Sequence, residues 1–428
     1  SATLPFHQLT YEFDFGDDRG LTWGLSGQPK NTQSGGPIAA HVFDNPGTYT
    51  VRVRARDAGG SVSETSVTIT VQDPAAVYPG TRTVCVSSSG SFAGCPSGAA
   101  QRTSLPSSYD GLRVLLRRGE SFGTVSIATT DDNAQIGAFG TGAKPSVAGV
   151  SFGGGGTVAD WPDEVTVSDL NVGSGGVSLE TTGSRILLYR NDIVIPTRSA
   201  SQVNIGTAVG YYASNGALPA GSYYWPREIF LVENDIQGDT DGDNTPTMVV
   251  MGWFMKSALL GNTINRATQH SVRMWAAHKT IVAHNFLGGD HYAPTPPGIR
   301  HALKLHANGA RAYSDSLGNG QDIATSQVVV ANNRIGSSAF PGSWMVGVGP
   351  QNEQSVEAVM DYIHENNVHG RGPYTSQDLH IAALRATTRG NTVQGGGTFG
   401  GDAKQPSEWT GISGMLSFLG SYFGQITN

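Results

Sequence analysis

The most constraining feature of this chain is an asparagine that recurs after a short, mostly apolar string between residues 171 and 391. The strings are VSDLNV, LLYRNDI, FLVENDI, ALLGNTI, IVAHNFL, VVVANNRI, YIHENNV and ATTRGNTV, and the asparagines are Asn171, Asn191, Asn234, Asn262, Asn285, Asn333, Asn367 and Asn391. Successive asparagines are 20 to 48 residues apart, which matches one coil of a solenoid, two coils, or one coil with a long loop. The pattern predicts a right-handed parallel β-helix with two strands per interval and turn asparagines that stack along its axis.

The composition agrees with an all-β fold. Glycine accounts for 58 of the 428 residues and charged residues for only 14%, which favours short strands and turns over helices. A β-propeller or a second sandwich is the alternative. A fold built from hairpins has no reason to place an asparagine after the same apolar string each time, so the parallel β-helix is the better interpretation.

The net charge argues against a nucleic acid partner, and the hydropathy argues against a membrane span. The formal net charge of −7 repels nucleic acid phosphates, so we expect no nucleic acid partner. The sequence contains no run of about 18 apolar residues, so we expect no membrane span.

The two cysteines, Cys85 and Cys95, flank a segment rich in Ser and Gly. A disulfide across so short a loop stabilises by about 3 kcal/mol in the chain-entropy model, and we favour it over two free thiols. Disulfides persist in oxidising compartments, so the chain is expected to be secreted, extracellular or at the cell surface. Domain-like sequence follows Ser1 directly, so we expect a mature or trimmed chain.

The N-terminal segment alternates polar and apolar residues in YTVRVRARD and SVTITV, which predicts strands with one buried face. FDFGD at residues 13–17 is similar to the W-D-F-G-D motif of PKD domains, and HVF at 41–43 with PGTY at 46–49 is similar to their H-x-Y and P-G-T-Y motifs. The segment therefore resembles a PKD domain, an immunoglobulin-like module. The resemblance implies a small β-sandwich at 1–74, in which the strands that normally precede the motif are missing. Another copy of the chain is a candidate to supply them by strand addition.

Residues 75–428 resemble the secreted, pectate-lyase-like β-helix superfamily in repeat style. We expect this domain to begin with the disulfide-bearing segment. The apolar, glycine-spaced GISGMLSFLGSYFGQITN is expected to cap its C-terminal end.

A candidate catalytic site is predicted where the sequences of two coils can be aligned. Counting 12 residues back from Asn285 reaches Arg273, and aligning SVRMW with ALKLH pairs Arg273 with Lys304 and Trp275 with His306 on the outer face. Neighbouring coils lie about 4.8 Å apart, so the two cations repel each other, which favours a neutral lysine base. The alternative is that both are ordinary solvated charges on an exposed strand.

A cationic pair beside an aromatic ring suits an acidic sugar. In β-elimination we assign Lys304 as the base, Arg273 or Arg300 as the group that neutralises the carboxylate, His306 as the acid and Trp275 as a stacking platform. β-Helix alginate and chondroitin lyases are similar in placing a Lys and an Arg on adjacent coils, although the order along the chain is reversed here.

Two long loops flank this strand and are expected to wall a cleft. The first, GGDHYAPTPPGIRH, brings His291 and Tyr292 near the strand as substrate-binding candidates. Upstream, GDTDGDN places Asp239, Asp241 and Asp243 at alternate positions, a candidate Ca²⁺ site that departs from the EF-hand pattern. A plain acidic turn is the alternative, and no other cofactor is expected.

Two functions from different classes follow. The first is binding, with eliminative cleavage, of an acidic polysaccharide. The second is a non-enzymatic structural or adhesive subunit of an extracellular fibre, which polymerises with itself by strand addition through the incomplete PKD-like domain.

Overall fold

A computed structural model gives the structure of the protein. It describes residues 5–153, 161–179, 183–194, 203–205, 226–238, 247–267, 270–288, 301–306, 325–336, 346–349, 359–370, 379–381, 383–393 and 401–403. The fold-class prediction is confirmed, because the chain is nearly all β, with an N-terminal PKD-like sandwich module followed by parallel-strand sheets. Within the described ranges, no helix is long and apolar enough to cross a membrane.

The N-terminal module contains one short helix and four described strands. The helix is α1 (Pro5–Gln8), and the strands are β1 (Thr10–Asp14), β2 (Thr32–Gly35), β3 (Gly47–Arg56) and β4 (Val62–Val71). The strands form an antiparallel sheet in the order β2-β1-β3-β4. Strand β4 lies at one edge of this sheet, and its side chains are exposed over nearly its whole length.

The PKD-like motif organises the turn after β1. His41 stacks on Phe15 with ring centroids 4.7 Å apart, and its Nε2 lies 3.0 Å from Asp17 Oδ2. The Arg19 guanidinium donates two hydrogen bonds to Asp17 and, with His41, lowers the pKa of that carboxyl to about 2. Gly16 has a φ of +69°, and a Cβ there would lie 2.8 Å from the Thr50 carbonyl oxygen, so the motif requires glycine at this position.

A linker with the helix α2 (Pro74–Val77) and a 3-10 turn (Gly80–Arg82) leads into a parallel β-helix. Its strands run along three faces. Face A contains β9 (Val125–Ile127), β12 (Val150–Phe152), β15 (Val177–Leu179), β18 (Val203–Ile205), the first part of β21 (Thr247–Met255) and of β24 (His270–Ala283), β26 (His301–His306), β29 (Val346–Val348), β32 (Leu379–Ile381) and β35 (Gly401–Ala403).

Face B contains the strands that follow after the bend. They are β6 (Ala100–Arg102), β5 (Thr83–Val86), β7 (Arg113–Arg117), β10 (Asp132–Phe139), β13 (Asp163–Ser168), β16 (Ser184–Tyr189), β19 (Arg227–Val232), β22 (Ala258–Leu260), the last part of β24, β27 (Thr325–Ala331), β30 (Val359–Glu365) and β33 (Leu384–Arg389). Long strands such as β24 pass from face A to face B.

Face C closes each coil with two or three residues. Its strands are β8 (Ser121–Phe122), β11 (Ser146–Val147), β14 (Asn171–Val172), β17 (Asp192–Val194), β20 (Asp235–Gln237), β23 (Thr263–Asn265), β25 (Phe286–Leu287), β28 (Arg334–Ile335), β31 (Val368–His369) and β34 (Thr392–Val393). The side chains that point inward from the three faces form one continuous apolar core, which extends from Val84 to Ala386.

The complete coils have three strands, whereas the sequence predicts two per interval. The extra bend lies inside a long strand, at Trp253 in β21 and at Ala276 in β24, which adopt φ values of +58° and +50°. Gly252 precedes the first bend, but no Gly or Pro lies next to the second, so the sequence of β24 predicts a single continuous strand. Stacking of equivalent bends in neighbouring coils holds non-glycine residues in this unfavourable conformation.

The predicted asparagine stack is present between faces B and C. The Oδ1 of Asn285 accepts hydrogen bonds from the backbone N and the Nδ2 of Asn262, at 2.8 and 2.9 Å. The Nδ2 of Asn285 also donates to the Leu259 carbonyl oxygen, at 2.9 Å. The same pattern joins Asn191, Asn234, Asn262, Asn285, Asn333, Asn367 and Asn391.

Asn171 is not part of this row, which corrects one position of the sequence repeat. Asn171 pairs with Asp192, one residue beyond Asn191, and its side chain is exposed. Leu170 occupies the row position instead, with its backbone N donating to Asn191 Oδ1 at 3.1 Å. The apolar side chain of Leu170 cannot continue the row, so the row ends at Asn191.

The predicted disulfide between Cys85 and Cys95 is present, with a Cα–Cα distance of 6.1 Å. Cys85 lies on β5, and its bridge packs with Leu115 and Phe139 at the N-terminal end of the β-helix. The predicted C-terminal cap, GISGMLSFLGSYFGQITN, lies outside the described residues.

The N-terminal module packs directly against face B of the β-helix. An outward row of face B, formed by Ala258, Ile281, Val329 and Ile363, joins one apolar cluster with Trp23, Ile38 and Ala40 of the module. Polar contacts supplement it. The buried Glu365 carboxylate accepts hydrogen bonds from the Gly36 backbone N and from Arg389 Nε, both at 2.7 Å. The module and the β-helix therefore share a well-packed interface that leaves face A uncovered by the module.

Candidate functional site

The candidate site lies on face A, where the register is the one that the alignment of SVRMW with ALKLH predicts. Arg273 of β24 pairs with Lys304 of β26, and Trp275 pairs with His306. The next residues in the Arg273 row are Val250 on one side and Gly347 on the other. Parallel pairing without a shift is what brings side chains from residues far apart in sequence into one row.

Three of the predicted residues contact one another. Arg273 Nε donates a hydrogen bond to His306 Nε2 at 3.2 Å. The Arg273 guanidinium lies 5.5 Å from the centre of the Trp275 ring, which itself stacks on His306 with centroids 5.8 Å apart. Since its Nε2 accepts a hydrogen bond from Arg273, the His306 ring in this arrangement is the neutral tautomer with its proton on Nδ1.

His306 is less accessible than the sequence suggests. The alternation in IRHALKLHANG predicts His306 on the outer face together with Lys304. Lys304 is partly exposed, whereas only 1% of His306 is exposed. Packing against Arg273 and Trp275 covers the imidazole, so a substrate would reach Arg273, Lys304 and Trp275 more readily than His306.

A second pair of histidines lies at the start of the same two strands. The rings of His270 and His301 stack with centroids 5.3 Å apart, and both are buried. Burial, together with the positive charges of Arg273 and Lys304, lowers the pKa of His270 to about 3. His270 is therefore neutral at physiological pH and can accept or donate one hydrogen bond without adding charge.

Two glycines make room for this cluster on the adjacent coils. A Cβ on Gly252 would overlap the Trp275 indole, and a Cβ on Gly347 would overlap the His301 imidazole. Because these two positions have no side chain, the Trp275 and His301 rings pack directly against the backbone of the adjacent coils. The shape of the site therefore depends on these glycines as well as on the functional side chains.

Face A is cationic around the site. Its strands from β9 to β29 contain Arg273 and Lys304 and no Asp or Glu, whereas Asp402 lies in the same row on β35, three coils beyond Lys304. Trp275 Nε1 and His270 Nδ1 are buried and have no hydrogen-bond partner among the described residues. A bound ligand with acceptor oxygens would match these groups.

The remaining predicted site residues lie outside the described residues. They are Arg300, His291 and Tyr292 of the first flanking loop, and Asp239, Asp241 and Asp243 of the candidate Ca²⁺ site. Within the ranges that the structure does describe, no group of three or more His, Cys, Asp or Glu side chains could hold a metal ion.

Sequence reasoning did not include His270, His301, Gly252 and Gly347 in the site. The signal was available, because the alignment that pairs Val272 with Leu303 also pairs His270 with His301 two residues earlier. The glycines are found in the same way. Gly252 lies one coil before Trp275 in its row, and Gly347 lies one coil after Lys304 in its row.

Comparison with known proteins confirms the N-terminal resemblance. The family model of the PKD domain matches residues 2–71. No curated protein sequence matches the chain. Among solved structures, the chain is similar to the catalytic domain of a GH87 alpha-1,3-glucanase in complex with tetrasaccharides, with a TM-score of 0.28 and 11% identity, over 94% of this chain and 83% of that chain.

Proposed function

We propose that the protein binds an acidic polysaccharide along face A and cleaves it by β-elimination. The observation that carries the proposal is the adjacent placement of Arg273 and Lys304 on neighbouring coils, beside the Trp275 ring. The resemblance to pectate-lyase-like proteins is one of repeat style, so the reaction class rests on these residues and on their similarity to the Lys and Arg pair of β-helix alginate and chondroitin lyases. The disulfide and the PKD-like module support an extracellular setting.

Binding would use charge and stacking together. A uronate carboxylate fits the guanidinium of Arg273, which can make two parallel hydrogen bonds to it. Trp275 offers an apolar ring edge for a pyranose and an indole N–H for one of its oxygens. Because face A continues over several coils with short polar residues such as Ser151, Ser178 and Asn204 in the same row, a polymer can lie along it.

The chemical step assigns one task to each group. The neutral Lys304 amine takes the proton from C5 of the uronate, and the electron pair of that C–H bond forms the C4–C5 double bond. The bond from C4 to the glycosidic oxygen breaks, and the leaving oxygen takes a proton. Arg273 offsets the charge that develops on the carboxylate. His306, whose Nε2 accepts from Arg273, can offer only its Nδ1 proton to the leaving oxygen. Arg300, His291 and Tyr292 from the flanking loop, and Asp239, Asp241 and Asp243 as Ca²⁺ ligands, remain part of the proposal.

The test is an assay of the purified protein on a panel of uronate polymers. Elimination creates a conjugated double bond, so ultraviolet absorbance rises as the polymer is cut. We expect Lys304→Ala to lower turnover by a factor of about 100 or more while glycan binding persists. Failure to produce absorbance on any polymer, with binding unchanged in Arg273→Ala and Lys304→Ala, would falsify the proposal.

A non-enzymatic fibre subunit is the second candidate, and the edge strand β4 favours it. Val67 and Ile69 on β4 are 56% and 36% exposed, and the outer edge of β4 carries no partner strand among the described residues. Exposed apolar edge strands pair readily with other chains. Electron microscopy and size-exclusion chromatography separate the candidates, since filaments that disappear in Val67→Lys support the fibre and a stable monomer contradicts it.

A further inference from the structure

A second candidate binding site lies between the N-terminal module and the β-helix, away from face A. A cavity of about 620 Å³ is lined on one side by β1, β2 and β3 of the module and on the other by the turn between faces B and C. Asn332 and Asn366 from that turn face Glu12, Asp14, Arg52 and Arg54 from the sheet.

Contacts of the docking interface hold both walls of the cavity. Next to Asn366, the Glu365 carboxylate holds the Gly36 backbone N. At the other end, His284 lines the cavity and stacks on Trp23. An ion pair between Lys30 and Glu233 adds a further link between module and β-helix. The space is therefore preorganised, which lowers the cost of ordering a ligand.

The lining offers both hydrogen-bond donors and acceptors at balanced charge. Glu12 and Asp14 contribute two carboxylates, and Arg52 and Arg54 contribute two guanidinium groups, so the formal charges of the lining cancel. Arg52 lies 3.9 Å from Asp14, and Arg54 also pairs with Glu64 outside the lining. Ionic polymers gain little from such a lining, whereas hydroxyl groups can donate to the carboxylates and accept from the guanidinium groups. Phe13, which also lines the cavity, offers an apolar ring face for a pyranose.

Two carboxamides line the cavity and are available to a ligand. Asn332 is partly buried and Asn366 is exposed, and the side chains of both have no hydrogen-bond partner among the described residues. They occupy the same position on successive coils, one residue before Asn333 and Asn367 of the asparagine row. Coils are spaced by about 4.8 Å, which is close to the repeat of a hexose in an extended glycan.

We infer that this cavity binds a neutral oligosaccharide, held between the carboxamides of Asn332 and Asn366 and the charged face of the module sheet. The cavity would hold either a neutral part of the polysaccharide substrate or a neighbouring neutral glycan. Face A would act on the uronates. The site is independent of the proposed reaction, because none of its residues belongs to face A.

The backbone at these two positions provides a clean variant. Asn332 and Asn366 have φ values of +56° and +54°, and the equivalent residues of other coils are Gly261 and Gly390, with φ values of +64° and +63°. Asn332→Gly with Asn366→Gly therefore removes both carboxamides without straining the turn. Asn133→Gly is the matched control, because Asn133 also has a positive φ of +48° but is exposed on β10, outside the cavity.

The experiment is calorimetric titration of the full chain with gluco-, manno-, xylo- and galacto-oligosaccharides. We expect at least one of them to bind, the double glycine variant to weaken that binding by about tenfold or more, and Asn133→Gly to leave it unchanged. Arg273→Ala and Lys304→Ala should leave it unchanged too, which separates this site from face A. The inference is overturned if none of the oligosaccharides binds, or if the double variant binds as tightly as the unmodified protein.

Discussion

The indole ring of Trp23 lies parallel to the imidazole ring of His284, with their centroids 5.0 Å apart and 9° between the planes. Ser26 Oγ lies 2.8 Å from His284 Nδ1, and burial lowers the pKa of His284 to about 4. One loop of the module thus covers a turn of the β-helix and keeps its histidine neutral. This contact adds to the apolar cluster that docks the module on face B.

Replacing Trp23 should loosen the docking of the module. Trp23→Ala removes a ring that is only 4% exposed, and we expect the free energy of unfolding to fall by about 3 kcal/mol. Leu25→Ala is the control, because Leu25 lies on the same loop and is 43% exposed. Denaturant unfolding measures both, and equal stability losses in the two variants would contradict the packing argument.

The asparagine row should be far more sensitive to substitution than its apparent first member. Asn285→Ala leaves Asn262 N and Nδ2 without their acceptor and the Leu259 carbonyl oxygen without its donor, all of them buried. We expect a loss of about 3 kcal/mol or more. Asn171→Ala should cost about 0.5 kcal/mol or less, because that side chain is exposed. Thermal unfolding measures the stability of both variants. Similar losses in the two would contradict the claim that the hydrogen-bonded row stabilises the fold.

Stability should fall on mild acidification. Inside the core, Tyr362 Oη lies 2.8 Å from His364 Nδ1, and His364 Nε2 lies 3.0 Å from His369 Nε2. Burial lowers the pKa of His369 from its ordinary 6.5 to about 4, and burial beside His369 lowers the pKa of His364 further. Because the unfolded chain takes up these protons first, stability is fully present above about pH 6.5 and is lost as the pH falls towards 4.

The size of this effect can be measured. His369 alone should contribute about 3 kcal/mol between these pH values. Unfolding free energies over this range provide the test, with NMR titration of the His369 ring as the direct check. If that ring took up its proton near pH 6.5 in the folded protein, the prediction would be wrong.

Gly347 should be required for the geometry of face A. In Gly347→Ala the new Cβ overlaps the His301 imidazole, which must move against His270. We expect cleavage of a uronate polymer to slow by about tenfold, and overpacking of the buried histidine pair to lower the free energy of unfolding by about 1–3 kcal/mol. Gly137→Ala is the control, since a Cβ there makes ordinary contacts at 3.4 Å or more. Unchanged cleavage by Gly347→Ala would indicate that the histidine pair does not support the site.

The sequence was sufficient for the coil register at the candidate site. Counting from Asn285 worked because Asn285 accepts two hydrogen bonds from Asn262 and donates two to Asn333, and this pattern fixes the phase of successive coils. The same count failed at Asn171, where the apolar string is alike but Leu170 occupies the turn. Periodicity shows where strands lie, and only the hydrogen bonds show which residue is at the turn.

Neither the bends nor the burial of His306 could be predicted from the sequence. Ala276 adopts a positive φ that alanine rarely takes, so nothing in its local sequence marks the bend. His306 looks exposed by alternation, yet contacts with Arg273 and Trp275 bury it. Both depend on neighbouring coils, which lie more than 20 residues away in the chain.

Every carboxamide in the asparagine row points the same way, with its Nδ2 towards the next coil and its Oδ1 towards the previous one. Their dipoles add and each amide polarises the next, so the row carries a net dipole along the axis of the β-helix. At one end the Leu170 N–H meets the negative terminus, and at the other Asn391 Nδ2 donates to the Arg389 carbonyl oxygen. A duplicated coil with asparagine at this position would lengthen the polarised row, whereas any other residue would divide it into two weaker ones.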